Sequence, residues 1–99
     1  MQTNQKVAFV TGGTRGIGRA IVEKLAQEGY IVGFSYVSSD EKANAMVEEL
    51  KAKGQNVFAM KFDVKDSEKV AEAFDKIYEE YENIDVLVNN AGITRDKLF

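Results

Sequence analysis

The sequence of 99 residues contains no cysteine, no histidine and no proline. Without cysteine there is no disulfide framework, no thiolate metal site and no thiol nucleophile. Without histidine the commonest general base and metal ligand is missing as well, so zinc chemistry and Ser-His-Asp catalysis are excluded. The absence of proline goes with the absence of any Gly/Ser-rich linker, low-complexity tract or repeat, and residues 1–99 are expected to form one unit. No long uncharged apolar run is present, and Met1 to Lys6 is polar, so neither a membrane span nor a secretory signal is expected and the cytoplasm is the default location. Thirteen basic against sixteen acidic residues give a charge of −3, without the basic footprint of a nucleic-acid binder. What remains, 44% apolar and 29% charged, is the balance of an ordinary globular domain.

The apolar pattern alternates between two periods. Lys6 to Val10 is a short apolar run closed by Thr11-Gly12-Gly13, as expected of a buried strand ending in a tight turn. Ile17, Ala20, Ile21 and Leu25 then recur at helical spacing up to a stop at Gly29. Tyr30 to Tyr36 is rich in β-branched and aromatic residues and predicts a second strand, in which Gly33 marks a weak point or a close approach of backbone. Ser38 and Glu41 have capping-box spacing, and Asp40 beside them reads as a helix-start residue. Ala43, Met46, Val47 and Leu50 form the stripe of the helix that follows, ending at Lys53-Gly54. Val57 to Phe62 predicts a third strand. Asp66 or Ser67 caps a third helix with a stripe of Val70, Phe74, Ile77 and Tyr81, and Asp85 to Asn89 is a fourth strand. Phe58, Phe62, Phe74, Tyr78 and Tyr81 are expected in or beside the core, whereas Glu48-Glu49 and Glu79-Glu80 are expected to face solvent. The order βαβαβαβ with apolar strands implies a doubly wound α/β fold, a parallel sheet covered on both faces.

Between the first strand and the first helix stands Thr11-Gly12-Gly13-Thr14-Arg15-Gly16-Ile17-Gly18. A glycine loop there lets backbone approach an anion, and the helix start offers unpaired amides to it, so a diphosphate is the natural guest. Gly13 and Gly18 have the glycine spacing of a P-loop but are followed by Arg19 and Ala20 rather than Lys and Ser/Thr, which disfavours triphosphate hydrolysis. The commoner G-x-G-x-x-G fingerprint fails at Ile21.

Thr-Gly-x-x-x-Gly-x-Gly, followed by Asp63-Val64 after the third strand and Asn89-Asn90-Ala91-Gly92 after the fourth, closely resembles the short-chain dehydrogenase/reductase family. The resemblance runs from about Lys6 to the end of the sequence. It implies a Rossmann-like sheet in the order 3-2-1-4; the main alternative, a flavodoxin-like domain, would have the order 2-1-3-4. It also implies that Gly12, Gly13, Thr14, Gly16, Ile17 and Gly18 cradle the diphosphate and ribose of a dinucleotide. Asp63 and Val64 would border its adenine, and Asn90, Ala91 and Gly92 would line it after the fourth strand, with Asn89 tying the central strands together. Gly92-Ile93-Thr94-Arg95-Asp96 is similar to the branch of the family that reduces 3-oxoacyl groups carried on acyl carrier protein. That branch implies fatty acid synthesis as the setting.

NAD-preferring members carry an acid about twenty residues beyond the loop. Here that place is held by Tyr36, or by Val37, and Arg15 is available for a charge-assisted contact to the extra phosphate of NADP. The expected cofactor is therefore NADPH rather than NADH. The family's catalytic tyrosine precedes a lysine by four residues, but Tyr30, Tyr36, Tyr78 and Tyr81 are followed at that distance by Phe34, Asp40, Glu82 and Asp85. The resemblance thus implies a cofactor-binding half that is catalytically silent alone. A fourth strand lacking the family's next neighbour is expected to have an open edge, suited to pairing in a homo-oligomer. Replacement of Arg15 by alanine should weaken NADPH binding far more than NADH binding, as measured by titrating both cofactors; equal losses would refute the role of Arg15.

Overall fold

The computed structural model describes residues 5–14 and 16–90. Strands β1 (Val7–Val10), β2 (Ile31–Tyr36), β3 (Val57–Lys61) and β4 (Val86–Val88) alternate with helices α1 (Gly16–Gln27), α2 (Asp40–Ala52) and α3 (Ser67–Tyr81). The strands form one parallel sheet in the order β3-β2-β1-β4, which is the order that the family resemblance implies and not the flavodoxin-like one. Alternate residues of β1 serve opposite faces, as the two-residue period of a strand requires. Val7 and Phe9 join Ile31, Phe62, Ala73 and Ile77 beneath α3, while Val10 joins Val22, Val32, Phe34, Met46 and Leu50 beneath α1 and α2. All four residues of β1 are buried, because this strand, like β2, has bonded neighbours on both sides. Asp85 anchors the start of β4 to β1: its carboxylate accepts from Val7 N at 2.8 Å and its amide donates to Val7 O at 2.7 Å.

Rings dominate the α3 face. Phe9 lies 6.1 Å from Phe62 in a stacked pair and 5.7 Å from Phe74 edge-on, and Phe58 stacks on Tyr81 at 5.6 Å. Gly33 is paired in register with both Phe9 and Phe58, and a Cβ on it would run into the Phe58 ring. The glycine in this strand therefore makes room for an aromatic ring, not for a backbone approach.

Three expectations are corrected. The buried face of α1 carries Gly18, Val22 and Ala26, one residue on from the expected stripe, with Ile21 and Leu25 half-buried at its flank. Ile17 is 73% exposed and Ala20 is exposed. Small residues let the helix lie close to the sheet, and this outweighs the burial of the larger side chains. The Ser38/Glu41 capping box does not form: Ser39 is the N-cap of α2, in a left-handed conformation (φ 69), and it makes no side-chain cap. A capping hydroxyl needs extended backbone at that position, so Asp40 and Glu41 are left to complement the helix dipole. Tyr78 is 48% exposed, on the outer side of α3. Asp66 caps α3 as expected, its carboxylate accepting from Lys69 N.

β4 forms one edge of the sheet, and Leu87 on it is 54% exposed. Among the described residues no helix is long and apolar enough to cross a membrane. Because Phe9 sits at the centre of the ring cluster, Phe9→Ala should cost about 3–5 kcal/mol. Urea unfolding monitored by circular dichroism would measure it.

Candidate functional site

The residues after β1 are fastened to both neighbouring strands. On the β2 side, Gly12 N donates to the carbonyl and hydroxyl oxygens of Ser35, each at 3.1 Å, and Gly13 N donates to Ser35 O at 3.0 Å. On the β4 side, Thr11 N donates to Val88 O at 3.0 Å. The Thr11 hydroxyl directs its proton between Val88 O and Asn89 Oδ1, and Asn90 Nδ2 donates to Gly12 O at 3.0 Å. The loop amides at Gly12 and Gly13 are thereby spent on Ser35. The amides at the start of α1, which no described side chain caps, are the ones left for an anion.

Two glycines have separate reasons to be there. A Cβ on Gly18 would collide with Gly12 O and come 2.7 Å from Asn90 Nδ2, so only glycine lets α1 begin directly against the loop. Gly16 has φ 62, which favours glycine, and a Cβ on it would meet nothing within 4 Å. Gly13 instead lies over Phe34 Cβ, 2.6 Å from where its own Cβ would stand, and is a packing residue under the loop.

Beyond the loop a cleft of about 240 Å³ opens between the C-terminal ends of β2 and β3. Gly12 and Thr14 line its inner end, Tyr36 and Val37 one wall, and Asp63 and Val64 the other. This is the crevice beside the carboxyl ends of parallel strands where ligands of doubly wound sheets bind. Asp63 Oδ1 accepts from Lys65 N at 2.9 Å, which fixes the turn and orients the carboxylate, while Oδ2 has no partner among the described residues. The Tyr36 hydroxyl is pushed above its ordinary pKa, first by burial and then by the negative charge of Asp40. It therefore stays a neutral phenol over the physiological range.

Of the residues singled out in the sequence, Gly12, Thr14, Tyr36, Asp63 and Val64 meet in this cleft. Gly16, Ile17 and Gly18 stand at the α1 start, and Asn90 reaches the loop through Gly12. Arg15, Ala91 and Gly92 lie outside the described residues, as does the Gly92–Asp96 stretch. Sequence reasoning missed Ser35, Lys42 and Lys65. Ser35 had a signal, being a polar residue inside an apolar strand and set to face the loop; Lys42, on a helix read only for its apolar stripe, had none.

Residues 6–99 match the family model for short chain dehydrogenases, and the chain belongs to that family. It is 52% identical over 93 residues to the 3-oxoacyl-[acyl-carrier-protein] reductase FabG of Staphylococcus aureus, an alignment covering 94% of this chain and 38% of that protein. It is 41% identical over 95 residues to the acetoacetyl-CoA reductase of Cupriavidus necator, covering 96% of this chain and 39% of the relative. The crystal structure of a blue fluorescent protein from a metagenomic library, in complex with NADPH, superposes with a TM-score of 0.84 at 43% identity, covering all of this chain and 42% of the other. The chain thus spans less than half the length of these relatives.

Gly18→Ala should displace Gly12 O and break the Asn90 contact, at a cost of about 1–3 kcal/mol. Thermal unfolding would give the loss, and a shifted Asn90 side-chain amide resonance would report the displaced loop.

Proposed function

We propose that this chain is the NADPH-binding region of a cytoplasmic reductase that converts a 3-oxoacyl thioester to the 3-hydroxyacyl thioester in fatty acid synthesis, with the acyl group on acyl carrier protein. The observation that carries the reading is the cleft at the carboxyl ends of β2 and β3 joined to a glycine loop pinned against the start of α1. Both relatives named above are reductases of 3-oxo thioesters, which supports that substrate class; the NADPH in the metagenomic structure supports the cofactor.

Bound NADPH would supply the hydride for the carbonyl carbon. This chain's residues bind and orient. The amides of Ile17 and Gly18 would donate to the diphosphate, favoured by the dipole of α1, and the second carboxylate oxygen of Asp63 would accept from the adenine amino group. Arg15 meets the extra phosphate. None of the four tyrosines has a lysine four residues on, so the proton donor and turnover belong to a longer protein. The open β4 edge is proposed to pair with a second copy in a homo-oligomer. Similarity to the acetoacetyl-CoA reductase favours a second reading, in which the thioester is carried on coenzyme A.

A chimera tests the assignment: residues 6–99 replace the matching stretch of the Staphylococcus reductase. The folded chimera should reduce an acetoacetyl thioester with NADPH at a rate within about tenfold of its parent, and this chain alone should show no turnover. A chimera that folds, by thermal unfolding, but does not consume NADPH would overturn the proposal. Comparing acyl-carrier-protein with coenzyme A thioesters separates the two readings.

A further inference from the structure

β3 closes the sheet on the side away from β4, and its outer edge is unpaired among the described residues. Val32 N donates to Asn56 O and Phe62 N to Tyr36 O, so the even-numbered residues of β3 spend their backbone groups on β2, while Val57, Ala59 and Lys61 turn theirs outward. Beside that edge runs a groove of about 350 Å³, to which the strand contributes Ala59, Met60 and Lys61 and one stripe of α3 contributes Lys69, Glu72 and Lys76. It shares only Phe62 with the cleft at the glycine loop. Three lysines thus stand against one glutamate, in a chain whose net charge is −3. Lys61 is paired with Asp40 on the α2 side, whereas Lys69 and Lys76 enter no ion pair among the described residues.

We infer that this edge docks an extended acidic segment of a partner protein, which adds to the four-stranded sheet as a further strand. The outward backbone groups of Ala59 and Lys61 supply the ladder, and every second side chain of the added strand lies on the α3 side, where carboxylates meet Lys69 and Lys76. The remaining side chains lie on the α2 side, where Ala59 packs against the core beneath α1 and α2 and apolar residues fit. A second copy of this chain is the poorer occupant. Pairing β3 with β3 about a two-fold axis would bring the α3 lysines of both copies to one seam, where like charges repel. The inference holds whether or not the cleft takes a nucleotide, because the groove lies outside it.

The test uses a capped, fluorescein-labelled peptide of alternating glutamate and valine, titrated into the chain and followed by anisotropy, with a lysine–valine peptide as control. The acidic peptide should bind about tenfold or more tightly than the basic one, with a preference that shrinks as salt is raised. Two further versions carry N-methyl groups, one on every valine and one on every glutamate. One of them should lose about tenfold or more in affinity and the other keep it, because a strand turns only alternate N–H groups toward its neighbour. Amide exchange at Ala59 and Lys61 should slow in the complex. Lys69→Glu combined with Lys76→Glu should weaken the acidic peptide about tenfold, with circular dichroism showing that the variant is folded. Equal affinity for the acidic and basic peptides, equal effects of the two methylations, or unchanged exchange at Ala59 and Lys61 overturns the inference. So does failure of the acidic peptide to bind, which would leave the lysines as guards that keep an edge strand unpaired.

Discussion

Everything in the site depends on the tethering of the loop after β1. Its amides are held by Ser35 of β2, its threonine by the end of β4, and its Gly12 carbonyl by Asn90. A glycine-rich segment left to itself would sample many backbone states, and ordering it costs about 1–2 kcal/mol per residue. Bonds from both neighbouring strands meet that cost during folding, so the loop is already shaped before any ligand arrives. Such preorganisation is what lets weak individual contacts to a diphosphate add up.

The same tether explains the rest of the architecture. β1 must lie between β2 and β4 for its loop to be gripped from both sides, and the order β3-β2-β1-β4 supplies that arrangement. Close seating of α1 on the loop requires Gly18, and once glycine is there the buried face of the helix continues through Val22 and Ala26. Phe9, one residue before the end of β1, then anchors the opposite face through its ring contacts with Phe62 and Phe74. Thus the strand that ends in the glycine loop is buried along its whole length, and the loop is fastened directly to the core.

Electrostatics divides the cleft into two parts. Next to the loop, Gly12 and Thr14 line it with backbone and a hydroxyl, whereas the rest of the lining carries Lys42, Asp63, Lys65 and the neutral Tyr36 phenol. An exposed pair such as Asp40 with Lys61 contributes little to stability.

The sequence by itself determined the element order, the parallel sheet and the place of the glycine loop, because these follow from apolar periodicity and from motifs read within a few residues. It also marked Asp63, Tyr36 and Asn90, whose spacing from strand ends is a local property. Only the tertiary structure decided that Gly12 and Gly13 give their amides to Ser35, that α1 buries Gly18 in place of Ile17, and that Ser39 leaves α2 without a side-chain cap. It alone brought Lys42 of one helix into the cleft and set Lys61 of a strand against Asp40. Those outcomes depend on which residues, distant in the chain, arrive at the same point, and pairing of strands and close packing of helices settle that, not local propensity.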